Sequence, residues 1–257
     1  SNASRGLGDV YKRQSNLWTL ETETGETFTA PVTIMATGNL SIPRVPDFPG
    51  LDDFKGDTYH TGLWPHEGVD FTGKRVGVIG TGSSGVQSIP IIARQAETLT
   101  VFQRTANFIL PARNGPQDRE IEAKHKSEYR ARRAAAYDTP FGIAGYPPPS
   151  KSALETTAEE RKAKFDQKWA DGGSISFLYS YTDLLTSKEA NDLAIEYVHE
   201  RIREIVQDPE TAELLCPNDH PIGTKRLVLD TDYYPVYNEP HVSLVNVRKA
   251  PIETLTE

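Results

Sequence analysis

Lys74–Thr105 reads KRVGVIGTGSSGVQSIPIIARQAETLTVFQRT. KRVGVIG is a β-branched apolar run that stops at Gly80 and predicts a strand. SSGVQSIPIIARQA predicts a helix, opened by Ser83 or Ser84 as its cap. TLTVFQR predicts a second strand. Strand, helix and strand within about 30 residues is the length of one βαβ crossover, so the two strands should be parallel. Pro90 falls inside the helix and removes a backbone hydrogen bond, which predicts a kink near Gln87.

The turn between the first strand and the helix holds Gly80, Gly82 and Gly85 in G-x-G-x-x-G spacing. That spacing is weak evidence alone and gains weight from its place inside a βαβ unit. Gly80 permits the tight turn, Gly82 lets a pyrophosphate approach the backbone, and Gly85 lets helix and strand pack closely. The helix N-terminus would face the phosphates with free N–H groups and a partial positive charge. A dinucleotide-binding stretch is therefore expected at Gly80, Thr81, Gly82, Ser83, Ser84, Gly85 and Gln87. A glycine turn without a ligand has the same local pattern.

The end of the second strand selects the nucleotide. A unit that binds NAD places Asp or Glu there, to hold the ribose hydroxyls. This chain has Gln103, Arg104 and Thr105. A guanidinium suits a 2′-phosphate, which it can grip in a charge-assisted fork. The expected cofactor is NADP(H), with Arg104 at its phosphate. A strand-end arginine on the surface is the plainer alternative.

Upstream, NLWTLETETGETFTAPVTIMATG predicts two strands turning at Thr24-Gly25, then a short buried apolar strand ending at Thr37-Gly38. NLSIPRVPDFPGLDDF carries Pro43, Pro46 and Pro49, so it reads as an extended linker. Downstream, residues 117–215 are helical in character. Ser152 and Glu155 have the spacing of a capping box. Leu193, Ile195, Tyr197, Val198, Ile202, Ile205 and Val206 recur near a 3.6-residue period, and Asp208-Pro209 should end that helix. KRLVLD and HVSLVNV read as returning strands.

The net charge of −8 argues against a nucleic-acid partner, since phosphate neutralisation needs excess cations. No apolar run approaches the roughly 20 residues of a membrane span. A cytoplasmic protein without nucleic-acid or membrane partners is expected. The single cysteine, Cys216, rules out a disulfide framework or a multi-cysteine metal site and reads as an idle buried thiol.

FKGDTYHTGLWP places Phe54, Gly56, His60 and Trp64 in the spacing F-x-G-x-x-x-H-x-x-x-W, followed by Pro65. From the residues alone it is an aromatic-rich loop in which His60 serves as a hydrogen-bonder. The spacing, just before the glycine motif, resembles the signature of Baeyer–Villiger flavin monooxygenases. GTKRLVLDTDYYPVYN and HVSLVNVRKAPIETLT also resemble the phenylacetone and cyclohexanone monooxygenase group. The resemblance covers essentially all of residues 16–257. It implies an NADPH- and O2-dependent flavoenzyme that converts ketones to esters or lactones. Arg104 and Thr105 would contact the adenosine 2′-phosphate, and Lys225 would be a second phosphate-side cation. Arg226 would sit near the flavin and offset negative charge during oxygenation. His60 would couple domain movement to catalysis. A flavoprotein that oxygenates sulfur or nitrogen, or an NADP-binding module without turnover, are the alternatives.

The resemblance also implies an α/β fold: a Rossmann-like NADP-binding domain with a helical insertion, preceded by a remnant of the FAD domain. The family carries two dinucleotide fingerprints, and this sequence has the second. SNASRGLGDVYKRQ at the start lacks an apolar face; SNA resembles a tag-cleavage scar and DVYKRQ an adaptor translation. An ordinary disordered tail is the alternative. The expected organisation is an artefact over 1–14, FAD-domain remnant and linker over 15–68, and the NADP-binding domain over 69–257. FAD would belong to the parent protein, of which this chain would be a fragment inactive by itself.

Overall fold

The computed structural model describes residues 8–12, 16–36, 38, 42–139 and 142–256. The chain divides into two units, residues 1–67 with 253–257, and Gly68–Ile252.

In the first unit, β1 (Gly8–Lys12), β2 (Leu17–Glu21) and β3 (Thr27–Ala30) form an antiparallel sheet in that order. The β2–β3 turn closes by a Gly25 N–H bond to the Thr22 carbonyl, 2.9 Å, with Gly25 at φ +82°. Gly8–Lys12, within the stretch expected to be an artefact, pairs with Leu17–Glu21; residues 1–7 and 13–15 lie outside the described residues. One expectation changes here. The run at 32–36 is not a strand, and Val32, Ile34 and Met35 are exposed. A strand needs a backbone partner on at least one edge, and none pairs with this run among the described residues. Thr37, part of its expected exit, and residues 39–41 of the linker lie outside the described residues. Further along, the Leu255 N–H and the Thr254 hydroxyl both donate to the Pro49 carbonyl.

The second unit is built on β4 (Arg75–Ile79), α1 (Ser83–Ala93) and β5 (Thr98–Gln103). β8 (Val242–Asn246) joins them in a parallel sheet of order β4-β5-β8. β5 is central and alternates: Leu99, Val101 and Gln103 are buried. Val86, Ile89, Ile92 and Ala93 of α1 are buried at helical spacing, so a period-2 face meets a period-3.6 stripe. α1 runs through Pro90, which has no N–H to offer the Val86 carbonyl. A second parallel pair, β6 (Ile109–Pro111) with β7 (Val228–Asp230), extends the α/β character. β6 is three residues long and ends on Pro111, too little periodicity to read from sequence.

Between β6 and β7 lie α2 (Arg119–Ser127), α3 (Tyr129–Tyr137), α4 (Ala158–Asp171), α5 (Ser174–Leu178), α6 (Lys188–Ile205) and α7 (Pro209–Leu215). α2 and α3 bury no residue, as their charge requires. α4, α5 and α6 close on an aromatic cluster in which Phe165 lies 5.1 Å from Tyr197 and 5.3 Å from Phe177 between ring centroids. α6 buries Ala190, Ala194, Tyr197, Val198 and Ile202, so its seam includes two alanines that an apolar count of larger residues passes over.

Two helix signals fall elsewhere than expected. The capping box is Thr157–Glu160, which opens α4. Ser152 instead donates to Asp183 at 2.5 Å, which removes it from capping duty. Asp208-Pro209 starts α7: the Asp208 carboxylate accepts from the Thr211 N–H at 2.8 Å, and Pro209 takes a first-turn position whose N–H has no helical partner anyway. α6 has already stopped at Ile205, whose carbonyl accepts from Asn238 Nδ2 at 2.8 Å.

Candidate nucleotide-binding site

Because β4, β5 and β8 are parallel, their C-terminal ends share one edge. Three loops leave that edge: Gly80–Gly82 after β4, Arg104–Thr105 after β5, and Val247–Arg248 after β8. They are knit together by the Gly80 N–H to the Phe102 carbonyl and the Val247 N–H to the Gln103 carbonyl, each 2.9 Å. Open parallel sheets bind ligands at this edge.

The glycines have separable roles. Gly80 sits at φ +103°, where an L side chain is strained. A Cβ at Gly85 would lie 2.3 Å from the Gly80 carbonyl oxygen, so only glycine lets the helix start against the turn. A Cβ at Gly82 would meet nothing within 4 Å, so its freedom serves space on the outer side of the loop. The helix cap is Gly82 itself, with no side-chain hydrogen bond, rather than Ser83 or Ser84. Those serines are the first two residues of α1, past the cap position. The first amides of α1 are thus not capped by a side chain and can face an anion.

Thr81 and Gln103 hold the loop from below. Both are buried; the Thr81 hydroxyl donates to the Thr105 carbonyl at 3.1 Å, and Gln103 Nε2 donates to the Leu214 carbonyl at 2.6 Å. Gln87 lies one turn along α1 and donates to the Leu229 carbonyl at 3.4 Å, tying the helix to β7.

Arg104 is exposed and Thr105 half-buried at the rim of a cavity of about 90 Å³. Asn246, Arg248, Asp219 and Cys216 complete the part of its lining that matters here. Arg248 Nη2 donates to Thr105 Oγ1 at 2.8 Å and to Asp219 at 2.7 Å. Hydrogen bonds from His220 and then Arg248 hold the Asp219 carboxyl below the usual carboxylate range. Burial pushes the Cys216 thiol up to about 11, which fits an idle thiol.

Sequence reasoning missed Arg248, Asp219 and His220. Arg248 follows a strand in sequence much as Arg104 does, and that parallel is the signal that could have found it. Lys225 and Arg226 are exposed on the loop leading into β7. They do not line this cavity. His60 belongs to the other unit, where its Nδ1 accepts from the Gly62 N–H at 3.0 Å and caps a short 3-10 turn, Thr61–Leu63. A Cβ at Gly56 would lie 2.6 Å from the exposed Phe54 ring, which would have to turn aside. The Tyr59 and Trp64 rings stand 5.9 Å apart.

The sequence signature of the family described as pyridine nucleotide-disulphide oxidoreductase matches residues 7–136, which contain the whole β4-α1-β5 unit. The chain belongs to the pyridine nucleotide-disulphide oxidoreductase family. This family member is 41% identical over 250 residues to a Baeyer–Villiger monooxygenase of Pseudooceanicola batsensis, covering 97% of this chain and 45% of the relative. It is 40% identical over 254 residues to a phenazine N-monooxygenase of Lysobacter antibioticus, covering 96% and 45% respectively. Among solved structures, an oxidized steroid monooxygenase bound to NADP superposes with a TM-score of 0.90 at 47% identity, over 98% of this chain and 48% of that one. The chain spans about half the length of the curated relatives it matches. The likeness to Baeyer–Villiger monooxygenases and the α/β fold are therefore established for this span. Identity over the span does not separate carbon from nitrogen oxygenation, because both kinds of relative stand at about the same level.

Proposed function

We propose that this chain is the nicotinamide-nucleotide-binding part of an NADPH- and O2-dependent flavin monooxygenase that converts ketones to esters or lactones. The observation that carries the nucleotide assignment is Arg104 with Thr105 at the end of β5, beside an uncapped glycine loop. The residues present fit the group: Gly82 leaves an open face for a pyrophosphate, and the α1 amides meet its charge. Arg104 and Thr105 would hold the adenosine 2′-phosphate, with Lys225 as a further cation.

When bound, NADPH supplies hydride and FAD activates oxygen. Arg226 keeps a guanidinium close to developing negative charge, a role for which its permanent charge suits it. His60 orders the loop between Phe54 and Trp64 and couples its position to the catalytic cycle. The motif Phe54–Trp64 supports carbon oxygenation. The phenazine N-monooxygenase relative favours a second reading, nitrogen oxygenation. No helix of the described residues is long and apolar enough to cross a membrane, and we place the protein in the cytoplasm.

The test uses the full-length protein that carries this sequence, with NADPH, O2 and either a cyclic ketone or a phenazine. Mass spectrometry should show lactone, one oxygen heavier than the ketone, in proportion to NADPH consumed. N-oxide without lactone would move the assignment to nitrogen. NADPH binding without any oxygenated product would leave a binding module.

A further inference from the structure

We propose that Arg248 is a second specificity-determining cation for the adenosine 2′-phosphate, working from the β8 loop opposite Arg104. This inference rests on the NADP reading above.

Arg248 is fixed at both ends. Its backbone N–H donates to Asn246 Oδ1 at 3.0 Å, which shapes the turn after β8. Its Nη2 carries both bonds at the head, to Thr105 Oγ1 and Asp219 Oδ2. Asp219 is itself fixed, because His220 Nδ1 lies 2.6 Å from its other oxygen. His220 has a side chain 10% exposed and stands edge-on to the buried Phe108 ring at 5.2 Å. The guanidinium is thus anchored through one nitrogen to a support reaching into the core. Its Nε–H and Nη1–H groups remain for a ligand.

The placement decides what that ligand is. Thr105 is the residue next to Arg104, and Arg248 touches it directly. Arg104, Thr105 and Arg248 line the same cavity at the C-terminal edge of the sheet. Two guanidiniums around one small cavity suit a dianion with three acceptor oxygens. The other acid on that rim, Glu213, is occupied by a two-point pair with Arg203 at 2.5 and 3.1 Å. Asp219 lowers the local charge and also pre-orients Arg248, so less side-chain entropy is lost on binding.

A purely structural Arg248 would tie the β8 loop to Asp219 and affect every adenine nucleotide alike. The probes are therefore 2′,5′-ADP and 5′-AMP, titrated by calorimetry into the 257-residue chain. Arg248→Ala should weaken 2′,5′-ADP by about tenfold or more, the loss of one charge-assisted contact. It should leave 5′-AMP within about twofold by the same scale. Arg248→Gln keeps a neutral donor beside Thr105 and Asp219; it should show the same selective loss and serves if the alanine variant fails to fold. Equal weakening of both probes, or no weakening of either, overturns the assignment. Arg104→Ala separates the two readings. If it alone loses 2′,5′-ADP, the Arg248 proposal fails and the NADP reading stands. If the unmutated chain binds both probes equally, both fail.

Discussion

At the scale of single residues, the glycine loop divides stability from binding. Gly85→Ala drives a Cβ to 2.3 Å from a backbone carbonyl, so the helix must shift away from the turn. We expect a loss of about 1–3 kcal/mol, the usual cost of overpacking, seen as a lowered thermal midpoint. Gly82→Ala meets no protein atom, and φ −75° suits alanine. It should cost less than about 1 kcal/mol, the difference between Gly and Ala at a cap, yet weaken nucleotide binding. Equal effects of the two substitutions on folding would contradict this division. Cys216 gives a pH-dependent counterpart. Its thiol is raised from 9.0 to about 11 by burial, so the neutral form is favoured in the folded chain. That stability is complete below pH 9 and is lost as pH rises towards 11. Thermal melts over this range should fall more steeply for the native chain than for Cys216→Ser; parallel curves would show the thiol to be uninvolved. Of the candidate site, Gly80–Gly85, Arg104 and Thr105 were legible because spacing and charge sit in one continuous stretch. Arg248 was not, because only the parallel register of β5 with β8 brings it there, and Asp219 and His220 reach it from the separate segment between α7 and β7.

At the scale of elements, local signals succeeded where one element satisfies its own backbone and failed where a neighbour decides. The β4-α1-β5 unit was readable because a strand period gives way to a helix period with glycines between. The 32–36 run was misread because apolar composition states a preference for burial, while a strand also needs a backbone partner on at least one edge. Capping was displaced by five residues for a similar reason. Ser152 and Thr157 both precede Glu at the right spacing, and Asp183 captures Ser152 from α4's far side in sequence. Thr157→Ala should therefore destabilise the chain by about 1 kcal/mol, since it removes the bond to the Glu160 N–H. Glu155→Ala, at the spacing first read as the box, should change stability by less than about 0.5 kcal/mol, as exposed positions do. Urea melts of the two variants check the assignment, and a larger loss at Glu155 would reverse it.

At the scale of the whole molecule, the parallel sheet sets the chemistry by collecting three strand ends on one edge. The glycine loop comes from β4, the selective arginine from β5 and a supporting arginine from β8. The cofactor choice then follows from charge: a carboxylate at the end of β5 would accept ribose hydroxyls, whereas Arg104 calls for a phosphate. In the proposed function, Arg226 would bear on the reaction instead. In the full-length protein, Arg226→Ala should suppress ketone oxygenation far more than NADPH-driven flavin reduction, because the charge a hydride brings would spread over the flavin ring, whereas oxygenation would concentrate it on oxygen. Near-normal ester formation by that variant would make the arginine structural. The central claim, that this edge recognises a 2′-phosphate, is tested most directly by titrating the 257-residue chain with NADPH and NADH and following nicotinamide fluorescence. The account predicts that NADPH binds at least about tenfold more tightly, and that Arg104→Ala removes most of that difference. Equal affinity for the two nucleotides in the unmutated chain would contradict it.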